Sequence, residues 1–489
     1  MDLKLKVLKG SFLSLTIQWI SRTIGVVSTL ILVRLLSPED FGIAALSTLV
    51  MMFFLSLSQF GVSQYIIKTK NISTQQVNSA WSIQLILNVF VSIIVFLLST
   101  HISLYLDSDK LIDVLKITCL MPILSGLVNP EIYIAQKNLE FGKISLIEVI
   151  SKIISTPITV SLAFIGLSYW ALVYGTLIHA LLKLLSSYVL FSEKPKISFR
   201  YSTEIFSTSK WMLVNSITSF ARVNVEKIII NQKFGAKGVG LYDTSKEVGH
   251  IPLTDIILPA SNPILAGVSQ ASDDLQERWA ALMKYHYVSI FFILPCIFGI
   301  FLLSDVFVKC VLGDSWLEVI PIVGPMSVLM VVYLIYNICR MLMIFSNDMK
   351  ILSISDIISI IVMVMILTTP IFSSLEFLII GRVGIGLIFC VLLLIIIMVK
   401  NNCELRSILQ LYIIVSILCV PLVLVVFFTR EYIAFPNDYI ELFLCVFIGS
   451  ITYIATYLIA SKWISKINLY FNFFDSLIAL LFQNLKNKF

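Results

Sequence analysis

Apolar stretches of about 20 residues, the length an α-helix needs to cross a bilayer, recur along almost the whole chain with short polar segments between them. Fourteen stand out, near 11–34, 42–66, 77–104, 111–134, 144–166, 168–191, 206–232, 239–270, 281–303, 318–345, 350–369, 374–399, 407–429 and 438–461. The pattern predicts an all-α polytopic membrane protein. The first segment is too long for a signal-peptide core and runs into Arg34-Leu-Leu-Ser-Pro-Glu-Asp without a small-residue cleavage site, so it is expected to stay as a helix. Beyond residue 462, Trp463, Ile467, Phe471, Phe474, Ile478, Leu481 and Leu485 fall at helical spacing between lysines, which predicts an amphipathic tail on the inner membrane face.

Composition agrees with the pattern. Of 489 residues, 58% are hydrophobic and only 13% charged, with a mean hydropathy of +0.97, too much apolar surface for a soluble fold. The Lys and Arg residues sort unevenly between alternate loops, eighteen on one side and six on the other, which places both termini in the cytoplasm. The net charge of +6 is then a topology signal and not a nucleic-acid footprint. The eight cysteines are scattered through apolar spans without CxxC or His-paired spacing, and read as small core residues and not as a metal site or a disulfide framework.

One stretch carries more charge than hydrocarbon tolerates. Between Ser209 and Gln270 two spans are expected, 206–232 and 239–270, joined by a turn at Phe234–Gly238. On the second, Asp243, Lys246, Glu247 and His250 fall at i, i+3, i+4 and i+7 and share one face; on the first, Arg222 and Glu226 are four apart. Ionisable side chains at membrane depth cost at least ~2.5 kcal/mol each on insertion scales and normally face a bundle interior or water-filled cavity. The hairpin is therefore expected to line a polar route through the membrane.

A shift of 198 residues lays Leu36–Ala44 on Phe234–Tyr242, Gly42 on Gly240 and Ser11 on Ser209. Two copies of six helices enter the membrane in the same direction, which makes a parallel repeat about an axis along the membrane normal, with the substrate path between lobes. The expected organisation is a lobe at 1–198, a second at 199–400, two additional spanning helices at 401–462 and the amphipathic tail at 463–489.

The run Trp19-Ile-Ser-Arg-Thr-Ile-Gly, followed by Leu32-Val-Arg-Leu-Leu-Ser-Pro-Glu-Asp-Phe-Gly, resembles the first hairpin of bacterial polysaccharide flippases of the oligosaccharide-exporter group, related to multidrug and toxin extrusion transporters. Phe234-Gly-Ala-Lys-Gly-Val-Gly-Leu-Tyr, continuing through Pro252 and Leu258-Pro259, resembles that group's seventh and eighth helices. The resemblance implies a flippase that carries an undecaprenyl-diphosphate-linked oligosaccharide from the inner to the outer leaflet of the bacterial cytoplasmic membrane by alternating access. It implies a lipid-linked oligosaccharide and membrane lipids as partners, other polysaccharide-assembly proteins beside them, no nucleic acid, and no cofactor beyond proton or sodium coupling.

A lipid diphosphate must exchange its hydration for cations on the cavity wall, and arginine suits this best because its fork of donors matches phosphate oxygens. Arg22 lies near the midplane of the first helix, with Ser11, Ser14, Gln18, Ser21 and Gly25 close to its stripe, and Arg222 is its near-equivalent in the second lobe. Arg22, Arg222, Lys246 and His250 are the expected substrate contacts; Glu226, Asp243, Glu247 and Asp255 are the gating or ion-coupling candidates. Elsewhere, Glu148 and Lys152 read as a local i, i+4 salt bridge, and His179 with Lys183 as a mid-helix pair in which the histidine is satisfied within the core. The absence of a P-loop, an HExxH and any long aqueous loop argues against an ATP-driven pump or a membrane polymerase. A cation-coupled drug antiporter of the related extrusion family is the main rival, favoured if the four acids hold a coupling ion.

Overall fold

The structure, a computed structural model, describes residues 3–58, 62, 65–66, 69, 71–138, 140–258, 275–346, 348–400 and 405–467. Side chains are described at all of these except 3–16, 18, 202–204, 206–215, 219, 255–256, 275–276, 344–345, 349, 405 and 462–467. Among the described residues there is no β-strand. Among the described residues ten helices are long and apolar enough to cross a membrane, or eleven if the bent pair Leu111–Leu127 and Glu131–Lys137 forms one span. The chain divides into two compact units, Met1–Asp243 and Thr244–Phe489.

The first unit opens with α1 (Leu3–Leu35) and α2 (Pro38–Ser58). Their junction follows from Ser37-Pro-Glu-Asp. Proline occupies the first helical position, where its missing N–H costs nothing, and Asp40 reaches back to accept from the Ser37 backbone N–H at 2.9 Å while its own N–H donates to Ser37 Oγ at 3.3 Å. The other oxygen of Asp40 accepts from the Tyr169 backbone N–H at 3.1 Å and from the Ser168 hydroxyl, which ties this turn to the one at Ser168–Tyr169.

After α3 (Thr74–Tyr105), capped by the Ser73 and Gln76 box, the expected span at 111–134 is broken into α4 (Leu111–Thr118), α5 (Leu120–Leu127) and α6 (Glu131–Lys137). The bend at α5–α6 is 57°, and Pro130 supplies its cause by withholding a backbone donor where the helix would continue. Next come α7 (Phe141–Phe164) and α8 (Tyr169–Leu190), packed on each other and, through α7, on α1.

The expected hairpin around Phe234–Gly238 is tighter in the structure. One helical element, α9, runs Ser202–Gly249 and is interrupted at a single residue, Gly235, with φ 65° and ψ −172°. Glycine enters that left-handed region without a Cβ clash, so the two arms fold back on each other at one position. Gly42 and Gly240 let backbones meet here: a Cβ built on Gly42 would lie 1.7 Å from the Ala236 carbonyl oxygen, and one on Gly240 would lie 1.8 Å from that of Pro38.

In the second unit, Pro252 begins a π-helix at Pro252–Ile257, where the expected span 239–270 departs from α-geometry; Pro259 and Pro263 lie outside the described residues. The unit continues through α10 (Leu275–Leu302), α11 (Ser304–Val311), a 3₁₀ turn at Asp314–Val319, α12 (Ile320–Phe345), α13 (Met349–Leu367), α14 (Leu375–Lys400), α15 (Leu405–Tyr432) and α16 (Asp438–Ile467). Its core includes a large cluster with Met283, Tyr287, Ile290, Met330, Cys339 and Val415, and a smaller one around Leu303, Val426 and Cys445. Six cysteines, at 119, 310, 339, 390, 419 and 445, are buried and free, and Cys296 is free and half-buried; Cys403 lies outside the described residues. Residues 468–489 of the expected tail also lie outside them.

Candidate functional site

The first unit concentrates ionisable groups at mid-membrane depth on α1, α7 and α8. At 1.5 Å per residue, Arg22 and Lys152 lie about 20 Å and 18 Å from the ends of their helices at Leu35 and Phe164. Both side chains are half-buried. The amine of Lys152 reaches α1 at Gly25, where a Cβ would stand 2.7 Å from Nζ, one turn along from Arg22. Among the described residues Lys152 has no hydrogen bond or ion pair.

The expected Glu148–Lys152 bridge is therefore not the one that forms. Glu148 turns to α8 instead, where Oε2 accepts from Lys183 Nζ at 3.2 Å and Oε1 lies 3.3 Å from His179 Nε2. The other ring nitrogen of His179 lies 3.4 Å from Ser155 Oγ. The i, i+4 rule matched Glu148 to Lys152 along one helix, but a facing helix offered two partners at once, and one carboxylate cannot neutralise every cation around it. Lys152 is left as a cation that local spacing hid. Around Arg22, the side chains of Ser11, Ser14 and Gln18 lie outside the described residues.

Within the hairpin of α9, the arms pair across Gly235. Glu226 is 1% exposed and accepts from the Tyr242 hydroxyl, while Lys227 Nζ lies 2.6 Å from Asp243 Oδ2. Arg222 is half-buried and Asn224 is buried, its amide donating to the Phe220 carbonyl at 3.1 Å. Two of the expected gating acids thus have partners inside the first unit. Neither Tyr242 nor Lys227 was singled out by the charge pattern, because the contacts cross a turn whose tightness only Gly235 determines.

In the second unit, His250 Nε2 lies 3.0 Å from the Met326 carbonyl oxygen. Lys246 is half-buried and Glu247 exposed, and between Asp243 and Lys246 both Thr244 and Ser245 are buried. The side chain of Asp255 lies outside the described residues. At the far end of this unit Arg430 clamps three elements: it donates to the Leu302 carbonyl at 2.6 Å, to Asp305 Oδ2 at 2.7 Å and to Glu441 Oε1 at 2.8 Å. Burial acts to raise the Asp305 carboxyl, but the Arg430 hydrogen bond and charge outweigh it and hold the group below the usual carboxylate range. Among the described residues no three His, Cys, Asp or Glu side chains are placed to hold a metal ion.

The match to known families is extensive. The family described as "Polysaccharide biosynthesis protein" matches residues 31–321, more than half of the chain. The chain belongs to this polysaccharide biosynthesis protein family. An uncharacterized membrane protein in the cps region of Klebsiella pneumoniae is 24% identical over 326 residues, which cover 66% of this chain and 67% of that one. The lipopolysaccharide biosynthesis protein WzxC of Escherichia coli is 24% identical over 341 residues, covering 67% and 68%. Among solved structures, the lipid II flippase MurJ in an inward closed conformation superposes with a TM-score of 0.75 at 15% identity, covering 93% of this chain and all of that one. An inward-facing multidrug-resistance MATE transporter of the MOP superfamily gives 0.62 at 12% identity, covering 80% and 98%. Membership in the polysaccharide biosynthesis family thus comes with a transporter fold.

What this family member's first unit can do follows from its charges. Among the described residues of α7 and α8, Glu148 is taken up by Lys183 and His179 while Lys152 has no ionic partner, so this part of the first unit holds an uncompensated cation at a depth where hydration is scarce. Such a region accommodates an anionic group and repels a cationic one.

Proposed function

We propose that this protein is a flippase that moves an undecaprenyl-diphosphate-linked oligosaccharide, a polysaccharide repeat unit, from the inner to the outer leaflet of the bacterial cytoplasmic membrane by alternating access. Both termini lie in the cytoplasm, in keeping with the Lys and Arg bias of the loops. The chain is organised as six-helix lobes at 1–198 and 199–400, with two further spanning helices at 401–462 and an amphipathic tail at 463–489. Arg22 and Lys152 meet the diphosphate from the first lobe; Arg222, Lys246 and His250 assist from the second, while Glu226, Asp243, Glu247 and Asp255 serve gating or coupling. Lipids and polysaccharide-assembly proteins are its surroundings, and a proton or sodium gradient its energy source.

The observation that carries this reading is Lys152, a cation at mid-membrane depth that has no ionic partner among the described residues. Holding it there costs at least ~2.5 kcal/mol on insertion scales, which an anionic ligand would offset. Relatives named for lipopolysaccharide biosynthesis and succinoglycan transport, and the likeness to a lipid II flippase fold, support the same substrate class. The rival reading, a cation-coupled drug antiporter, draws on the MATE-like fold. It needs acids free to take an ion or a cationic drug, whereas Asp243 and Glu226 are engaged by Lys227 and Tyr242.

Purified protein in proteoliposomes tests the reading. With a fluorescent polyprenyl-diphosphate oligosaccharide in one leaflet, the wild type moves the label to the other leaflet faster than empty vesicles. Uptake of a cationic dye against an imposed gradient, without movement of the lipid, would favour the antiporter.

A further inference from the structure

Two cavities in this chain are related by the same 198-residue shift that relates its hairpins. One, of about 490 Å³, lies within the first unit between α2, α3 and the first arm of α9. The other, of about 430 Å³, lies within the second unit between the start of the π-helix, α10, α15 and α16. Val50 and Phe53 in the first correspond to Val248 and Ile251 in the second, and Leu98 and Ile102 to Cys296 and Ile300. The same two walls recur, and the third wall differs: Phe220, Ala221 and Val225 of α9 in one, α15 and α16 in the other.

The mouths differ too. Where the second cavity has Gly299 and Leu303, the first has His101 and Tyr105, one turn apart at the end of α3. Tyr105 Oη accepts from Gln232 Nε2 at 3.2 Å, and His101 is exposed with no hydrogen-bond partner among the described residues. Below them the walls are apolar. A cavity of this kind holds no water, which needs two to four polar partners, and leaving about 490 Å³ empty would forfeit the contacts of all its lining atoms. At membrane depth the filling medium is hydrocarbon. Phe53 packs against Phe54 and Phe220 with ring centroids 5.3 and 5.4 Å apart, so aromatic rings from α2 and α9 form part of the apolar wall.

We propose that the cavity of the first unit binds the polyisoprenoid chain of a lipid carrier, with His101 and Tyr105 at its mouth meeting the phosphate end. The site deepens the flippase reading and rests on it. It lies beneath the contact of Gly42 with Ala236 and of Gly240 with Pro38, so the helices that grip the chain are those that close against each other.

The test is photolabelling of the full-length protein in nanodiscs with a diazirine-bearing polyprenyl phosphate. Labelled peptides are expected at 49–54, 98–106 and 217–228. Excess unlabelled polyprenyl phosphate should abolish the labelling and excess phosphatidylglycerol should not. Ala221→Phe obstructs the cavity and should remove this labelling. Because Ala221→Phe also alters packing, His101→Ala with Tyr105→Phe provides the second arm: competition by polyprenyl phosphate should weaken towards that of uncharged polyprenol. Equal competition by phosphatidylglycerol, which marks an ordinary membrane lipid, would overturn the proposal, as would mouth variants that compete like wild type. Labelling confined to other segments would remove this site and leave the flippase reading standing. No competable labelling anywhere would remove both.

Discussion

Gly42 and Gly240 stand 198 residues apart and each meets the backbone of the other's hairpin, Gly42 at the Ala236 carbonyl and Gly240 at that of Pro38, itself 198 residues before Ala236. The contact is reciprocal under the sequence shift, so one substitution made on either side should have the same effect. Gly42→Ala and Gly240→Ala each place a methyl group less than 2 Å from a carbonyl oxygen that cannot retreat without moving its helix. Overpacking of this kind costs on the order of 1–3 kcal/mol. Each variant should melt at lower temperature than wild type, and a cysteine at Ser21, in a cysteine-depleted background, should react faster with an impermeant thiol reagent applied from outside. Unchanged melting and unchanged reactivity would show that the hairpins need not approach so closely.

Arg22 and Lys152 are predicted to act on substrate and not on folding. Lys152→Ala removes a cation without orphaning any partner among the described residues, so abundance and melting should hold while export falls. Arg22→Ala should abolish export in an inserted, abundant protein, and Arg22→Lys should restore part of it, because the charge returns without the bidentate fork. Lys183→Ala should behave differently. It takes one of two partners from Glu148, both side chains being 44% exposed, and should lower stability by about 1 kcal/mol or less, visible as a reduced melting temperature. Normal export per folded molecule by Lys152→Ala and Arg22→Ala would count against the headgroup site.

These positions show what was legible in the chain. Helix-length apolar runs made the all-helical, membrane-spanning class legible, since a spanning helix must satisfy its backbone internally and needs little tertiary information, and among the described residues ten helices, or eleven with the bent pair, are long and apolar enough to span. The 198-residue correspondence was visible at Gly42 and Gly240 as identical letters, and in space it returns as a contact and as matching cavity walls. Side-chain partners were less legible. Glu148 could be matched locally to Lys152, and only the packing of α7 on α8 gives it to Lys183 and His179. Likewise, the pairing of Glu226 with Tyr242 and of Asp243 with Lys227 depends on a one-residue turn at Gly235, where the chain alone suggested five. The break at Pro130 was written in a proline that the hydrophobic run masked.

The hairpin partners give a third prediction. Tyr242→Phe removes a donor from a carboxylate that is 1% exposed, and a buried acceptor left short of a donor costs about 1–3 kcal/mol. Melting temperature should fall. If Glu247 gates, Glu247→Gln should keep abundance and alter transport rate; equal loss of both would mark it as structural.

The Arg430 clamp gives a fourth. The Asp305 carboxyl sits below its ordinary value when folded, so its contribution is fully present above the unfolded value of about 3.9 and is lost as pH falls through the folded one. Acidification below about pH 4 should loosen α11 and the start of α16 in wild type, seen as faster hydrogen exchange, while Asp305→Asn should show the loosening already at neutral pH. Arg430→Ala should be worse than either, since it leaves Glu441 as well as Asp305 without its cation.

The central claim is that this protein carries a lipid-linked oligosaccharide across the membrane, and the most direct measurement is the leaflet in which that lipid resides when the protein is depleted from cells. Spheroplasts probed with an impermeant reagent for the oligosaccharide should show the lipid-linked repeat unit accumulating out of reach, on the cytoplasmic leaflet. Re-expression of wild type should move it outward, and re-expression of the Arg22→Ala, Lys152→Ala double variant should not. If the lipid-linked oligosaccharide reaches the outer leaflet at the normal rate in depleted cells, the account is contradicted.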